Sequence, residues 1–344
     1  MSTTYEIARK ANVSQATVSF VLNNRYEGVR ISDSTRQRVL NIAAELGYRS
    51  NGAAKAMSSG KFGCAALLTS TRQHHSYVPD KLLHGIHDAL CDHDLHLTMA
   101  VLSDDRLTDE SFVPKILREC LADGLLIDYI QDIPTRLVEL IGRHKIPAVW
   151  INAKRPADCV YPDDVAAARE ATRRLIELGH RDIAWLNYVH GYQPANYHYS
   201  VEDRKTGYLE AMGEAGLPVR FLQEKAPIPI RERVAYSRAW LSQPDRPTAV
   251  VAYFPQEALC AAAYSLGLKV PEDLSILTFG NPNESFAGQP FTLMAEPNAA
   301  VGKAAVDMLK KKIEAPDRSF EPVSVPFGFS PGDTVAPLAG ALKK

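Results

Sequence analysis

Apolar positions in the first fifty residues recur at helical spacing in three sets. Ile7, Ala8 and Ala11 form one; Val18, Val21 and Leu22 a second; Val39, Ile42, Ala43 and Leu46 a third. Steps of three and four residues put each set on one side of a helix. Each set also follows a helix-start signal. Thr3 and Glu6 have capping-box spacing, in which a hydroxyl and a carboxylate each satisfy a free amide. Ser14 and Ser32 offer N-caps for the second and third segments, and Gly47 ends the third. The pattern predicts three short helices around one small core.

From Phe62 onward the pattern changes. Short runs rich in β-forming residues (CAALLTS, LHLTMAV, DGLLID, PAVWIN, DIAWLN, TAVVAY, LSILTF) alternate with amphipathic stretches such as VAAAREATRRLIELG, closed by Gly179. Such alternation predicts parallel sheets with helices on both faces. Ligands of such folds bind at strand carboxyl ends, and two lobes of this kind enclose a cleft. The expected fold is an all-α helix-turn-helix head plus a two-lobed α/β core with two parallel, doubly wound sheets.

Length and charge agree with this partition. A chain of 344 residues is too long for one typical core, and 46% hydrophobic with 23% charged residues argues against disorder throughout. The net charge of −1 hides a gradient: residues 1–61 carry nine basic and four acidic side chains, a balance of +5, which leaves −6 for the remainder. A basic head on an acidic body suits nucleic-acid binding, although a merely basic surface gives the same number. Cys64, Cys91, Cys120, Cys159 and Cys260 are scattered and odd in number, most among apolar neighbours. They read as buried, reduced thiols, hence a cytoplasmic protein. No apolar run approaches the roughly 18 residues that span a bilayer, and the chain opens on charged helix-forming sequence rather than an export signal. Neither secretion nor a membrane partner is expected.

The second helix is the informative one. At 100° per residue, Thr17, Val18, Val21 and Leu22 share one arc, while Gln15, Ala16, Ser19 and Phe20 share the opposite arc. That free face offers an amide able to pair with a base edge, a small methyl, a hydroxyl and an aromatic ring, a composition suited to the major groove. Phe20 has a second reading, in which it closes over the head's own core or a dimer contact.

The stretch TTYEIARKANVSQATVSFVLNN resembles the head of the lac and purine repressor (LacI-type) family of bacterial transcriptional regulators, with its Thr, Ile/Val-Ala pair, V-S-x-x-T-V-S core and terminal L-N. The resemblance implies that Gln15, Ala16 and Phe20 read bases. It implies that Tyr5, Thr17, Ser19, Asn23, Ser32 and Thr35 support the head or touch phosphates, with Ser14 at the same surface. The family usually carries a long polar or basic side chain where this chain has Phe20, so the operator cannot be borrowed from relatives. GYRSNGAAKAMSSG is similar to the family's hinge helix: Asn51, Ala54 and Met57 match it, Met57 in the minor-groove wedge role, and Lys55 joins them as a DNA contact. Ser50 replaces the usual proline, and Gly52 in the first turn costs about 0.5–1 kcal/mol against alanine. A helix this short is marginal in water. Residues 51–58 are therefore expected to fold on DNA; a permanently flexible linker is the alternative.

IELGHRDIA, DRKTGYLEAM, PTAVVAY and VPEDLSILTF resemble the same family's periplasmic-binding-protein-like core in order and spacing. The implied partition is a head at 1–50, a hinge at 51–60 and a core at 62–344. Three crossings give one lobe of about 62–165 and 296–323, and another of about 166–295 and 324–344. Arg204 matches the arginine that grips a polar effector; pairing with Asp203 or Asp163 is its alternative role, and Asp163 is placed in the effector site with it. Where relatives often carry Asn-Asp and Tyr-Asp after two strands, this chain has Phe254-Pro255 and Phe279-Gly280, and Glu296 stands where glutamine is common. The pocket should thus be more apolar and aromatic than a typical sugar sensor. Tyr192, Tyr197, His190 and His198 could stack on a ligand or merely cover the rim. A saccharide, an aromatic metabolite, a protein or no effector at all remain open.

His84, His87 and Cys91 share one helical face and are transition-metal ligand types, but the resemblance assigns that helix to dimer contact, so no metal or cofactor is expected. No nucleophile elbow or phosphate-binding glycine loop points to an enzyme. A solute-binding protein would share the core but not the head. The reading is a repressor that reads a palindromic operator in double-stranded DNA as a homodimer. The absence of a leucine heptad near the end favours a dimer over a tail-joined tetramer.

Overall fold

The computed structural model describes residues 3–23, 30–49, 52, 56, 59–72, 74–189, 198–253 and 256–338. The chain forms two compact units, Met1–Phe62 and Gly63–Lys344. In the first, helices α1 (Thr4–Ala11), α2 (Gln15–Leu22) and α3 (Asp33–Glu45) start where the sequence signals them. The Thr3 hydroxyl accepts from the Glu6 amide while the Glu6 carboxylate accepts from the Thr3 amide, completing the capping box. Ser14 and Ser32 accept from the amides of Thr17 and Thr35. Ile7, Ala8, Ala11, Val18, Val21, Val39 and Ala43 form the buried core, with Leu22, Ile42 and Leu46 packed against it. Arg38, which the sequence pattern did not single out, donates from Nε to the Ala11 carbonyl and ties α3 to the end of α1.

The second unit holds, in chain order, β1 (Cys64–Ser70), α4 (Asp80–Cys91), β2 (His96–Leu102), α5 (Lys115–Arg118), β3 (Gly124–Ile127), α6 (Thr135–Arg143), β4 (Ala148–Ile151) and β5 (Cys159–Pro162). There follow α7 (Asp164–Glu177), β6 (Ile183–Leu186), α8 (Ser200–Glu214), β7 (Arg220–Leu222), α9 (Arg233–Leu241), β8 (Ala249–Ala252), α10 (Glu257–Ser265) and β9 (Ser275–Gly280). A small hairpin, β10 (Ser285–Phe286) and β11 (Gln289–Pro290), precedes β12 (Thr292–Ala295), α11 (Asn298–Glu314), β13 (Val323–Val325) and β14 (Gly328–Ser330).

These strands make two six-stranded sheets, ordered β13-β5-β4-β3-β1-β2 and β14-β12-β9-β8-β6-β7. Each sheet is covered on both faces by buried clusters, as a doubly wound sheet requires. The first sheet is wholly parallel. The second departs from the all-parallel expectation, because β14 pairs antiparallel with β12 at its edge. The chain passes between lobes after β5, after β12 and after β13. Since β13 pairs with β5, the first lobe runs through Val325, and the boundary expected at 323 moves accordingly. Cys64, Cys159 and Cys260 are buried as expected, whereas Cys91 and Cys120 are exposed and depart from that expectation.

In both sheets the order reverses at the central pairs β1/β3 and β6/β8, so connections leave to opposite sides there and open a crevice at the strand carboxyl ends. One close helix contact sets the geometry of the second crevice. A Cβ on Gly207 of α8 would overlap the Val165 carbonyl of α7 and lie 2.7 Å from the Arg169 amide nitrogen. Gly207 thus lets α7 and α8 approach backbone to backbone, one turn from Arg204 and beside Asp164. Gly207→Ala is expected to destabilise the body by about 1–3 kcal/mol through overpacking. Chemical denaturation followed by tryptophan fluorescence measures this, since Trp150, Trp185 and Trp240 all lie in the body.

Candidate functional site

In the head, Gln15, Ala16 and Ser19 are exposed along one side of α2 while Val18 and Val21 are buried on the other. Phe20 is half-buried, less free than its place on the outer arc suggests. The Asn23 side-chain amide donates to the Ser19 carbonyl at 2.9 Å and contacts the Ser19 hydroxyl at 3.2 Å, closing the last turn of α2. The Ser14 and Thr17 hydroxyls lie 2.9 Å apart, and Ser32 donates to Thr35 at 2.9 Å. Tyr5 is exposed by 62%. Ser14, Thr17 and Asn23 therefore brace the two ends of α2, while Ser32 and Thr35 brace the start of α3. Asn51, Ala54, Lys55 and Met57 lie outside the described residues. Around them, Gly52, Ala56 and Ser59 are helical, and the Gly60 amide donates to the Ala56 carbonyl at 2.7 Å.

In the body, a cavity of about 350 Å³ lies between the lobes. Its walls come from strand carboxyl ends: His74, Ser76 and Tyr77 after β1, Ile130 and Gln131 after β3, Asn152 after β4, Tyr253 after β8, and Phe279 and Gly280 closing β9. Its size fits a ligand of one or two rings. A separate depression around Arg136 and Arg143 contains none of the expected effector residues.

Arg204 faces this cavity, but its partner is neither acid expected from the sequence. Its Nε donates to Asp164 at 2.5 Å and its terminal nitrogen to Glu296 at 3.3 Å. Asp203 instead pairs with Lys154 at 2.7 Å. Asp163 caps α7 by accepting from the Ala166 amide, so it leaves the predicted effector set and Asp164 enters it. The two neighbours divide the work because the N-cap residue turns its carboxylate back to the helix amides, while the first helical residue points away. The Arg204 guanidinium lies 4.4 Å from the centre of the Phe279 ring, with Tyr253 and Phe327 beside it. Burial pushes the Asp164 carboxyl up to about 6 against the lowering pull of Arg204.

Phe279 and Glu296 line the cavity as expected, whereas Tyr192 and Phe254 lie outside the described residues, as do His190, Tyr197 and Pro255. His198 is present at the wall. Its Nε2 lies 2.9 Å from the Asn152 carbonyl, and its Nδ1 lies 2.7 Å from the Ser200 hydroxyl. Tyr199 donates to the Asn152 side chain at 3.0 Å, so Asn152 of the first lobe is held by two groups of the second. Tyr253, Ser200, Asn152 and Glu284 are wall residues the sequence pattern did not mark. Among the described residues no cluster of three or more histidine, cysteine or acidic side chains could hold a metal. His87 and Cys91 do approach each other, with 3.6 Å between Nε2 and Sγ. No described helix is long and apolar enough to cross a membrane.

Two family models match the chain. Residues 3–51 match the bacterial regulatory proteins of the lacI family, and residues 172–335 match the periplasmic binding protein-like domain. The HTH-type transcriptional regulator DegA of Bacillus subtilis (strain 168) is 31% identical over 315 residues, covering 88% of each chain. The chain belongs to the LacI family. Catabolite control protein A of Priestia megaterium is 28% identical, over 90% of this chain and 92% of its own. Among solved structures, the lac repressor dimer bound to operator and the anti-inducer ONPF superposes with a TM-score of 0.74 at 19% identity, covering 97% and 99% of the two chains. The complex of the regulator CelR with cellobiose gives 0.62 at 22% identity, covering 97% and 100%. At such identities these structures show the shared fold. This LacI-family chain is a transcriptional regulator with a DNA-binding and a ligand-binding domain, and not an enzyme.

Proposed function

We propose that this regulator is a repressor that reads a palindromic operator as a homodimer, and that a small ligand in the cleft between its lobes modulates binding. The observation that carries the DNA part is the exposed Gln15, Ala16 and Ser19 side of α2, held on a buried core by three capped helices. A single head covers too little surface for tight specific binding, and a second copy related by two-fold symmetry doubles the contacts at matching half-sites. Tyr5, Thr17, Asn23, Ser32 and Thr35 would fix the head on phosphates, and the segment with Asn51, Ala54, Lys55 and Met57 would fold into the minor groove between half-sites. The ligand part is supported by a cavity at two strand-order reversals, walled by Phe279, Tyr253, Arg204 and Glu296. Action in the cytoplasm agrees with five free thiols.

Selection of bound duplexes from a random pool, followed by sedimentation of the complex, tests the reading. It predicts a palindrome with a flexible central step, two protomers per duplex, and affinity that falls steeply with salt as counterions are released. Recovery of an asymmetric site bound by one protomer would overturn it.

A further inference from the structure

Among the described residues that line the cleft, histidines aside, four side chains carry charge: Asp164, Glu284, Glu296 and Arg204. The guanidinium is already engaged by Asp164 and Glu296, as its 2.5 and 3.3 Å contacts show. Glu284 is the surplus charge. Its Oε1 accepts from the Asn281 amide at 2.9 Å and its Oε2 from the Gln256 side chain at 3.3 Å, both neutral donors. Among the described residues no lysine or arginine forms an ion pair with it. The sequences of residues 190–197 and 254–255, which adjoin wall residues, contain no lysine, arginine, aspartate or glutamate. Histidines aside, three negative charges against one positive leave the described wall residues at −2.

The position of Glu284 depends on a missing side chain. A Cβ on Gly280 would lie 2.5 Å from Glu284 Oε2 and 2.7 Å from Oε1, so the bare strand end is what gives this carboxylate room at the cavity wall. Glu296 and Glu284 also act on one neighbour. The Tyr77 hydroxyl, on the facing lobe, is pushed up to about 12 by burial and by these two carboxylates. Around them the wall is apolar and aromatic, with Ile130, Val189, Tyr253 and Phe279, which strengthens any attraction inside.

We propose that the cleft selects a small effector bearing an ammonium group on a ring-sized body, with Glu284 as the principal partner of the cation and Glu296 as the second. The proposal rests on the cleft being the ligand site, as proposed above. It also reverses what Arg204 alone suggested. An anionic ligand would find the guanidinium neutralised and two carboxylates still facing it, whereas an ammonium would replace charge that only amide donors now hold.

Two series of matched skeletons test this on the full-length protein: glucosamine, glucose and glucuronate; and cyclohexylamine, cyclohexanol and cyclohexanecarboxylate. Titration calorimetry and the thermal midpoint are read for each. In at least one series the ammonium member should bind about tenfold tighter than its neutral counterpart, with the carboxylate weakest. Glu284→Gln should erase most of that advantage, and the comparison across the six compounds stands without the variant if that variant folds poorly. Neutral or carboxylate members that bind as tightly as the ammonium, or a preference unchanged in a folded Glu284→Gln protein, would overturn the proposal and leave the ligand cleft standing. No binding by any of the six would remove both the ammonium and the cleft reading.

Discussion

Replacing Arg204 by methionine is expected to lower the stability of the body by about 3–5 kcal/mol at neutral pH. The side chain is buried with Asp164 beside the half-buried Glu296, and its removal leaves Asp164, only 1% exposed, as an uncompensated charge. The loss should shrink on acidification, and the sign follows from Asp164. Burial already raises this carboxyl to about 6, and Arg204 is its main lowering influence. Without Arg204 it rises further. A carboxyl whose folded value lies above its unfolded one penalises the folded state while ionised, and the penalty shrinks as pH falls below the folded value and is gone below the unfolded one. Urea denaturation of parent and variant at pH 7.5 and pH 5, followed by tryptophan fluorescence, should show the smaller difference at pH 5. An equal difference at both would mean that Arg204 contributes packing on Phe279 rather than charge. Arg204→Lys should fall between, since an ammonium cannot fork to two carboxylates on the same geometry.

The second large effect belongs to the head. Gln15→Ala is expected to weaken specific DNA binding by about 1–3 kcal/mol per half-site, hence about 2–6 kcal/mol for a dimer, while binding to unrelated duplex changes little. Gln15 is exposed and caps nothing, so the fold should survive its truncation. Anisotropy titrations of selected and scrambled duplexes at one salt concentration separate these effects. A parallel loss on both duplexes would assign Gln15 to phosphate contact or head stability instead of base reading.

The legible parts of this molecule are those where one local rule governs. Helix starts in the head follow from Thr3, Ser14 and Ser32, because an N-cap is a contact over three residues. The buried strands of the body announce themselves as continuous apolar runs such as AVWI and AVVA, buried on both faces. Strands β5, β7, β12, β13 and β14 were not marked. They span three or four residues, and β13 buries only its last side chain, so their pairing is imposed by the rest of the sheet. The cleft was half legible. Arg204, Phe279 and Glu296 came from resemblance, but which of Asp163 and Asp164 faces the cavity depends on the backbone turn at the start of α7. Glu284 depends on a loop folding back over Gly280, a contact with no periodic signature.

The most direct test of the central claim is the ratio of two affinities of the full-length protein, for a duplex selected from a random pool and for a scrambled duplex of equal length, at physiological salt. The account predicts a ratio of about 10³ or more that collapses when the outer side of α2 is changed at Gln15 and Ser19 together. A ratio near one for the unaltered protein, with and without the ammonium compounds, would contradict it.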